Sequence, residues 1–201
     1  VEMLFKQPFF GNNACRLQLV EVEPGGWCTT AAVDGRNCDY NTEFDNKLDL
    51  DETVFLVGHE VGHCVYEHFL RRGDRDPQIW NMAGDYKINA MLVREKIGRL
   101  IDKVKPLYDK KYESDEWWTE NVYDQLKKDG VAPQQTLDIH LDIEGDGDNS
   151  TNGNGTKDGK SKPTITKDDA KAIADELKNA VIQAAQSVGA GNVPGDIRRM
   201  I

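Results

Sequence analysis

His59-Glu60-Val61-Gly62-His63 sets two imidazoles four residues apart with a carboxylate beside the first, the H-E-x-x-H arrangement of zinc hydrolases. On a helix, positions i and i+4 stack on one face, so His59 and His63 can turn ring nitrogens toward one metal ion. Glu60 lies about 100° round from His59, close enough to the same edge to take a proton from a metal-activated water. The spacing therefore supplies two ligands and a base for hydrolysis. Two solvent-facing histidines on an amphipathic helix are the bland alternative, and the surroundings decide against it. 

A catalytic zinc needs a third protein ligand and an open position for water. His68 and Asp85 are the candidates. His68 stands five residues after His63 with no intervening Gly; on a continuing helix it would point about 140° away from His63 and miss the metal. It reads as a surface or helix-end histidine. Asp85 lies in a run that Asp76-Pro77 starts and Ile79, Met82, Ala83, Tyr86, Ala90 and Val93 continue at helical spacing. Asn81, Asp85 and Asn89 recur every four residues along it, a polar stripe that is costly to bury unless something ionic or polar satisfies it. A metal bound by Asp85, with Asn81 and Asn89 as hydrogen-bond partners behind the ligands, would do so. A solvated helix face is the other reading of that stripe.

The elements that must position these residues are legible. Asp49-x-x-Glu52 predicts a capping box, and Val54, Val57, Val61, Val65 and Phe69 give the helix it starts an apolar stripe. Gly58 and Gly62 each cost roughly 1 kcal/mol against Ala inside a helix, which points to close approach by another element. Upstream, Cys15 to Glu23 alternates as a strand, and Thr29–Val33 and Arg36–Tyr40 flank an Asp34-Gly35 turn. Such a turn pairs Ala31 with Cys38. The hairpin at Ala31, Ala32 and Val33 could present an edge to an extended peptide, or serve only as structural sheet. Downstream, Ser114-Asp115-Glu116 predicts a helix that buries Trp118, Val122, Tyr123 and Leu126 and ends at Gly130. Thr166 with Asp169 caps a last helix carrying Ile173, Ala174, Leu177, Val181, Ala184 and Val188, which Gly189 ends.

The run from Ala31 to Val93 carries a family resemblance. With Ala32-Val33-Asp34-Gly35-Arg36, Tyr40-Asn41, His59-Glu60-Val61-Gly62-His63, Arg71-Arg72 and Trp80-Asn81-Met82-Ala83-Gly84-Asp85-Tyr86 followed by Asn89, it resembles the metallopeptidase domain often found ahead of a von Willebrand factor A-like domain. The likeness extends from Pro8 through Tyr123-Asp124-Gln125-Leu126 and Asp138-Ile139-His140 toward Gly195. It implies a zincin fold, with His59 and His63 as zinc ligands, Glu60 as base and Asp85 as third ligand. It also implies association with a MoxR-type ATPase. Two departures stand out: nothing here resembles the A-like domain itself, and Glu144 to Lys160 reads as an insertion.

Together these readings predict an α+β chain, zincin-like and mainly helical, with a small antiparallel sheet packed on the zinc-binding helix. At 201 residues it makes one domain. A Gly/Asn-rich acidic insertion at about 142–164 buries too little apolar surface to order itself. Inside it Asp142-x-Glu144-x-Asp146-Gly147 mimics a calcium loop, yet the twelfth position is Gly153 where a bidentate Glu is needed.

A net charge of −10, with lysines interspersed among acids, argues against nucleic acid as the main partner. No apolar run approaches the roughly 18 residues of a membrane helix, and no signal peptide is visible in a chain that begins at Val1. Cys15, Cys28, Cys38 and Cys64 form no C-x-x-C pair, so reduced thiols and a cytoplasmic setting are expected, with Cys64 in the core.

The implied chemistry is hydrolysis of a peptide bond in a protein or peptide substrate. Zn2+ held by His59, His63 and Asp85 would polarise the carbonyl while Glu60 moves the proton. Tyr86 and His140 are candidates for the oxyanion donor, His140 being equally readable as a surface histidine. A non-proteolytic module, in which the same zinc stabilises a scaffold that works with an ATPase, is the competing class.

Overall fold

The computed structural model describes residues 2–137, 142–143 and 164–201. Two short helices come first, α1 (Glu2–Lys6) and α2 (Pro8–Ala14). At five and seven residues they are too short to show a helical period, and the sequence patterns do not register them. Pro8 sits at the first helical position, where its missing N–H costs nothing, and Phe9 and Phe10 behind it enter the core.

The strands β1 (Gln18–Val22), β2 (Ala31–Val33) and β3 (Asn37–Asn41) form one sheet in the order β1-β3-β2. The sheet is mixed, which corrects the antiparallel expectation. β2 and β3 are antiparallel, but β1 lies parallel to β3. The connection from Glu23 to Arg36 carries β2 within it and is long enough for the crossover that parallel pairing requires. The hairpin register also differs from expectation. Val33 pairs with Cys38, and Ala31 with Tyr40. The reason is Asp34, whose Oδ1 accepts the N–H groups of Arg36 at 2.7 Å and Asn37 at 2.6 Å. That side chain closes the turn around Gly35-Arg36, with Gly35 at φ +94°, a conformation glycine adopts without steric cost.

The Asn41 side chain caps α3 (Thr42–Asp45). Asp49 and Glu52 form both halves of the expected capping box, each at 3.0 Å, and start α4 (Leu50–Val65). A short α5 (His68–Arg71) follows, then α6 (Pro77–Arg94), whose cap is the Asp76 carboxylate accepting from the Ile79 N–H. The next helix, α7 (Thr119–Lys128), begins later than Ser114-Asp115-Glu116 predicts. Ser114 instead closes a 3-10 turn, and the Trp118 N–H donates to the Asn121 side chain at 2.6 Å. Val122 and Leu126 are buried as expected; Trp118 and Tyr123 are only half-buried. The parallel pair β4 (Asp142–Ile143) and β5 (Thr164–Ile165) precedes α8 (Lys167–Val188), capped by Thr166 as predicted, and α9 (Gly195–Arg198) ends the order. The rest of the 142–164 stretch, including the calcium-loop mimic, lies outside the described residues, as does His140.

The helix α4 runs through the middle. Phe55, Leu56, Val61 and Val65 join Ile88, Met91 and Leu92 of α6 and Val181 and Ala184 of α8 in the main core, while Val54 and Val57 are only partly buried. Sheet residues Val33 and Cys38 pack with Cys64, Phe69, Ile173 and Leu177 on another side. Close crossing of α4 and α6 depends on Gly62: a Cβ there would stand 2.8 Å from Ile88 Cγ2. Covered on several sides, α4 buries polar groups as well as apolar ones.

So does α6. Asp85, Lys87 and Asn89 are all inaccessible to solvent. Lys87 Nζ donates to Asp196 Oδ2 at 2.5 Å, and Tyr66 Oη donates to the same oxygen at 2.7 Å. Arg94 approaches Asp196 Oδ1 at 3.4 Å. These contacts fix α9 to the centre of the molecule. Burial would raise the Asp196 carboxyl, but Lys87, Tyr66 and Arg94 outweigh it and hold it below the usual aspartate range. No helix among the described residues is long and apolar enough to cross a membrane.

Candidate metal centre

The helices α4 and α6 cross where His59 and His63 of the first meet Asp85 of the second. All three are buried, and one ligand atom from each lies within 4.8 Å of the others. The two Nε2 atoms are 3.0 Å apart, and Asp85 Oδ1 stands 3.7 Å from His59 Nε2 and 3.6 Å from His63 Nε2. Ligand nitrogens on a tetrahedral zinc with bonds of about 2.0–2.1 Å are separated by about 3.3 Å, so the group has the right size for such an ion.

The remaining polar atoms of the three side chains are engaged in ways that suit metal binding. Asn89 Nδ2 donates to the Leu107 carbonyl at 3.0 Å, which turns Asn89 Oδ1 toward His59 Nδ1 at 2.9 Å. An amide oxygen only accepts, so His59 carries its proton on Nδ1 and presents Nε2 as a lone pair. Asp85 Oδ2 accepts the Leu137 N–H at 3.0 Å, and the Leu137 carbonyl accepts from Thr30 Oγ1 at 2.5 Å. The stretch from Gln134 to Leu137 is thereby held on α6, with Asn81 Nδ2 also donating to Thr136 Oγ1 at 3.1 Å.

Glu60 is buried one residue on from His59. It shares a side of α4 with Cys64, toward β3. Burial raises the thiols of Cys38 and Cys64, and the Glu60 charge adds to the rise in both. Both thiols stay protonated; Cys64 lies in the core as expected, and no disulfide joins any of the four cysteines.

His68 corrects the surface reading. It is fully buried. The helix does not continue past Val65: Glu67 adopts a left-handed conformation at φ 52°, and the reversal swings His68 back beneath the motif. Its Nδ1 meets His63 Nδ1 at 3.0 Å and its Nε2 meets Thr119 Oγ1 at 2.7 Å. The bend carries no Gly or Pro signal, so spacing along the chain could not find it.

Of the stripe on α6, Asp85 and Asn89 reach the centre, whereas Asn81 binds Thr136 instead. Tyr86 packs its ring edge-on against Tyr112 at 5.5 Å. A separate cavity of about 520 Å³, lined by residues including Val61, Cys64, Leu177 and Val181, contains none of the metal group.

Comparison with known families settles membership. A family model described as "Putative metallopeptidase domain" matches residues 1–201. The chain belongs to this family. No curated protein and no solved structure matches it. The metallopeptidase family name and the His59/His63/Asp85 group point the same way, since a peptidase of this name requires a metal and these residues could hold one.

Proposed function

We propose that this chain is a zinc-dependent peptidase of the zincin type, in which His59, His63 and Asp85 hold the ion and Glu60 is the general base. The observation that carries the reading is the closed group of three ligand atoms, backed by Asn89 on His59 and the Leu137 amide on Asp85. When bound, zinc supplies a Lewis acid that polarises the scissile carbonyl and lowers the pKa of a water. The chain's own residues do the rest. Asn89 holds the His59 tautomer that leaves Nε2 as donor to the ion. Leu137 fixes the Asp85 carboxylate so that Oδ1 faces both imidazoles. Glu60 takes the proton of the attacking water on a carboxylate oxygen and returns it to the leaving amine.

An extended peptide would lie along β2 only once the cover over that strand moves, because Ala31, Ala32 and Val33 are all buried. Ala31–Val33 is an edge strand of the sheet that packs on α4, and edge strands accept peptides through main-chain hydrogen bonds. Tyr86 remains the described candidate for oxyanion donor; burial raises its phenol, which keeps the proton available for donation.

One observation favours a second reading. His59, Glu60, His63 and Asp85 are each at most 1 % exposed, so a peptide reaches them only if part of their cover moves. A zinc-stabilised scaffold that works with a MoxR-type ATPase, or a peptidase opened by such a partner, accounts for that closure. The test is metal content of the purified chain together with casein and peptide-library cleavage, for the unmodified chain and Glu60→Gln. One zinc per chain and cleavage lost in the variant supports the peptidase; one zinc and no cleavage by either supports the scaffold.

A further inference from the structure

We infer that His68 is a positioning residue for the metal centre, holding His63 in the tautomer and ring orientation that direct Nε2 at the ion. The inference rests on the reading of His59, His63 and Asp85 as the metal ligands.

The proton assignment is self-consistent along the chain of contacts. If His63 offers the Nε2 lone pair, its Nδ1 carries the proton and donates to His68 Nδ1 at 3.0 Å. The other nitrogen of His68, Nε2, then carries the proton of that ring and donates to Thr119 Oγ1 at 2.7 Å. Thr119 at the start of α7 anchors the chain of contacts.

Several independent features place His68 there, and two of them, at Glu67 and Gly84, have a local cost. Glu67 takes a left-handed conformation that non-glycine residues rarely adopt. Gly84 interrupts a long helix, where Ala would be better by about 1 kcal/mol; a Cβ at that position would stand 2.8 Å from His68 Nδ1 and 3.3 Å from His63 Cε1. The Trp80 indole N–H donates to the His68 carbonyl at 2.8 Å, and the Tyr66 ring stacks on the His68 ring with planes 13° apart. Arg71, three residues on, binds both carboxylate oxygens of Glu120 at 2.6 Å and ties α5 to α7. Costs of this kind persist where geometry is required.

The test compares zinc affinity, by chelator competition, for the unmodified chain, His68→Leu, His68→Asn and Thr119→Val, with thermal unfolding of each metal-free protein as the control for folding. Asn keeps an acceptor near the place of Nδ1; Leu does not. Loss of a partner behind a metal-binding His weakens affinity about 10- to 100-fold, so His68→Leu is expected to lose that much and His68→Asn to recover most of it. Thr119→Val, nearly isosteric and able to fold if His68→Leu does not, is expected to lose severalfold. In the 15N spectrum of the zinc-loaded chain, His63 is expected to carry its proton on Nδ1. Zinc affinity unchanged in folded His68→Leu or Thr119→Val, or equal losses in the Leu and Asn variants, overturns the inference alone. An unmodified chain that takes no zinc overturns the metal reading and this inference together.

Discussion

Asp85 and Leu137, 52 residues apart, are joined by a 3.0 Å hydrogen bond from the Leu137 N–H to Asp85 Oδ2, while Asp85 Oδ1 faces His59 and His63. One carboxylate is thus shared between a backbone clamp and the candidate metal group. Asp85→Asn keeps a side-chain oxygen to accept from Leu137 but removes the negative charge. The expected result is a folded protein whose zinc affinity falls at least tenfold, read by chelator competition; unchanged affinity would remove Asp85 from the ligand set.

Glu60→Gln conserves volume at a buried position beside His59. It removes the proposed base and leaves His59, His63 and Asp85 in place. Zinc content should stay at that of the unmodified chain while peptide hydrolysis drops about a hundredfold or more. Metal analysis and turnover on one preparation check both halves.

Lys87 and Asp196 are both buried and bonded at 2.5 Å. Removing one partner strands the other charge, so Lys87→Met should lower stability by about 3–5 kcal/mol. Adding Asp196→Leu should recover part of that loss, because the double variant leaves no unpaired carboxylate. Urea unfolding of both variants measures the difference.

The same carboxylate sets a pH dependence. Its folded-state pKa lies below the ordinary aspartate value, so the unfolded chain binds the proton more readily. The stability it contributes is fully present above the unfolded value of about 3.9 and is lost as pH falls through the lower folded value. Asp196→Asn should therefore give a flatter decline of the urea midpoint on acidification below about pH 4.

Gly62→Ala ought to help an isolated helix by about 1 kcal/mol. Here the new Cβ would meet Ile88 Cγ2 at 2.8 Å, and pushing α4 and α6 apart costs about 1–3 kcal/mol. Net destabilisation is expected, smaller when combined with Ile88→Ala than the sum of the two single changes. A thermal-unfolding double-mutant cycle reads the coupling.

Local signals along the chain were enough to locate α4, its Asp49–Glu52 cap, α6 behind Asp76-Pro77 and α8 behind Thr166, because capping and helical period are written within a few neighbouring residues. They also fixed His59 and His63 on one helical face, and the glycines at which another helix passes close. The turn at Gly35-Arg36 and the late start of α7 depend on side-chain bonds from Asp34 and Asn121 that compete with the simplest pattern, and the parallel pairing of β1 with β3 joins strands that are not consecutive in the chain. His68 is the clearest case of what only tertiary structure decided. Spacing alone places it at the surface, pointing away from His63, and the left-handed Glu67 instead buries it against His63 Nδ1. The reversed chain is held by contacts of His68 with Trp80 and Thr119, residues that become neighbours only once the helices dock.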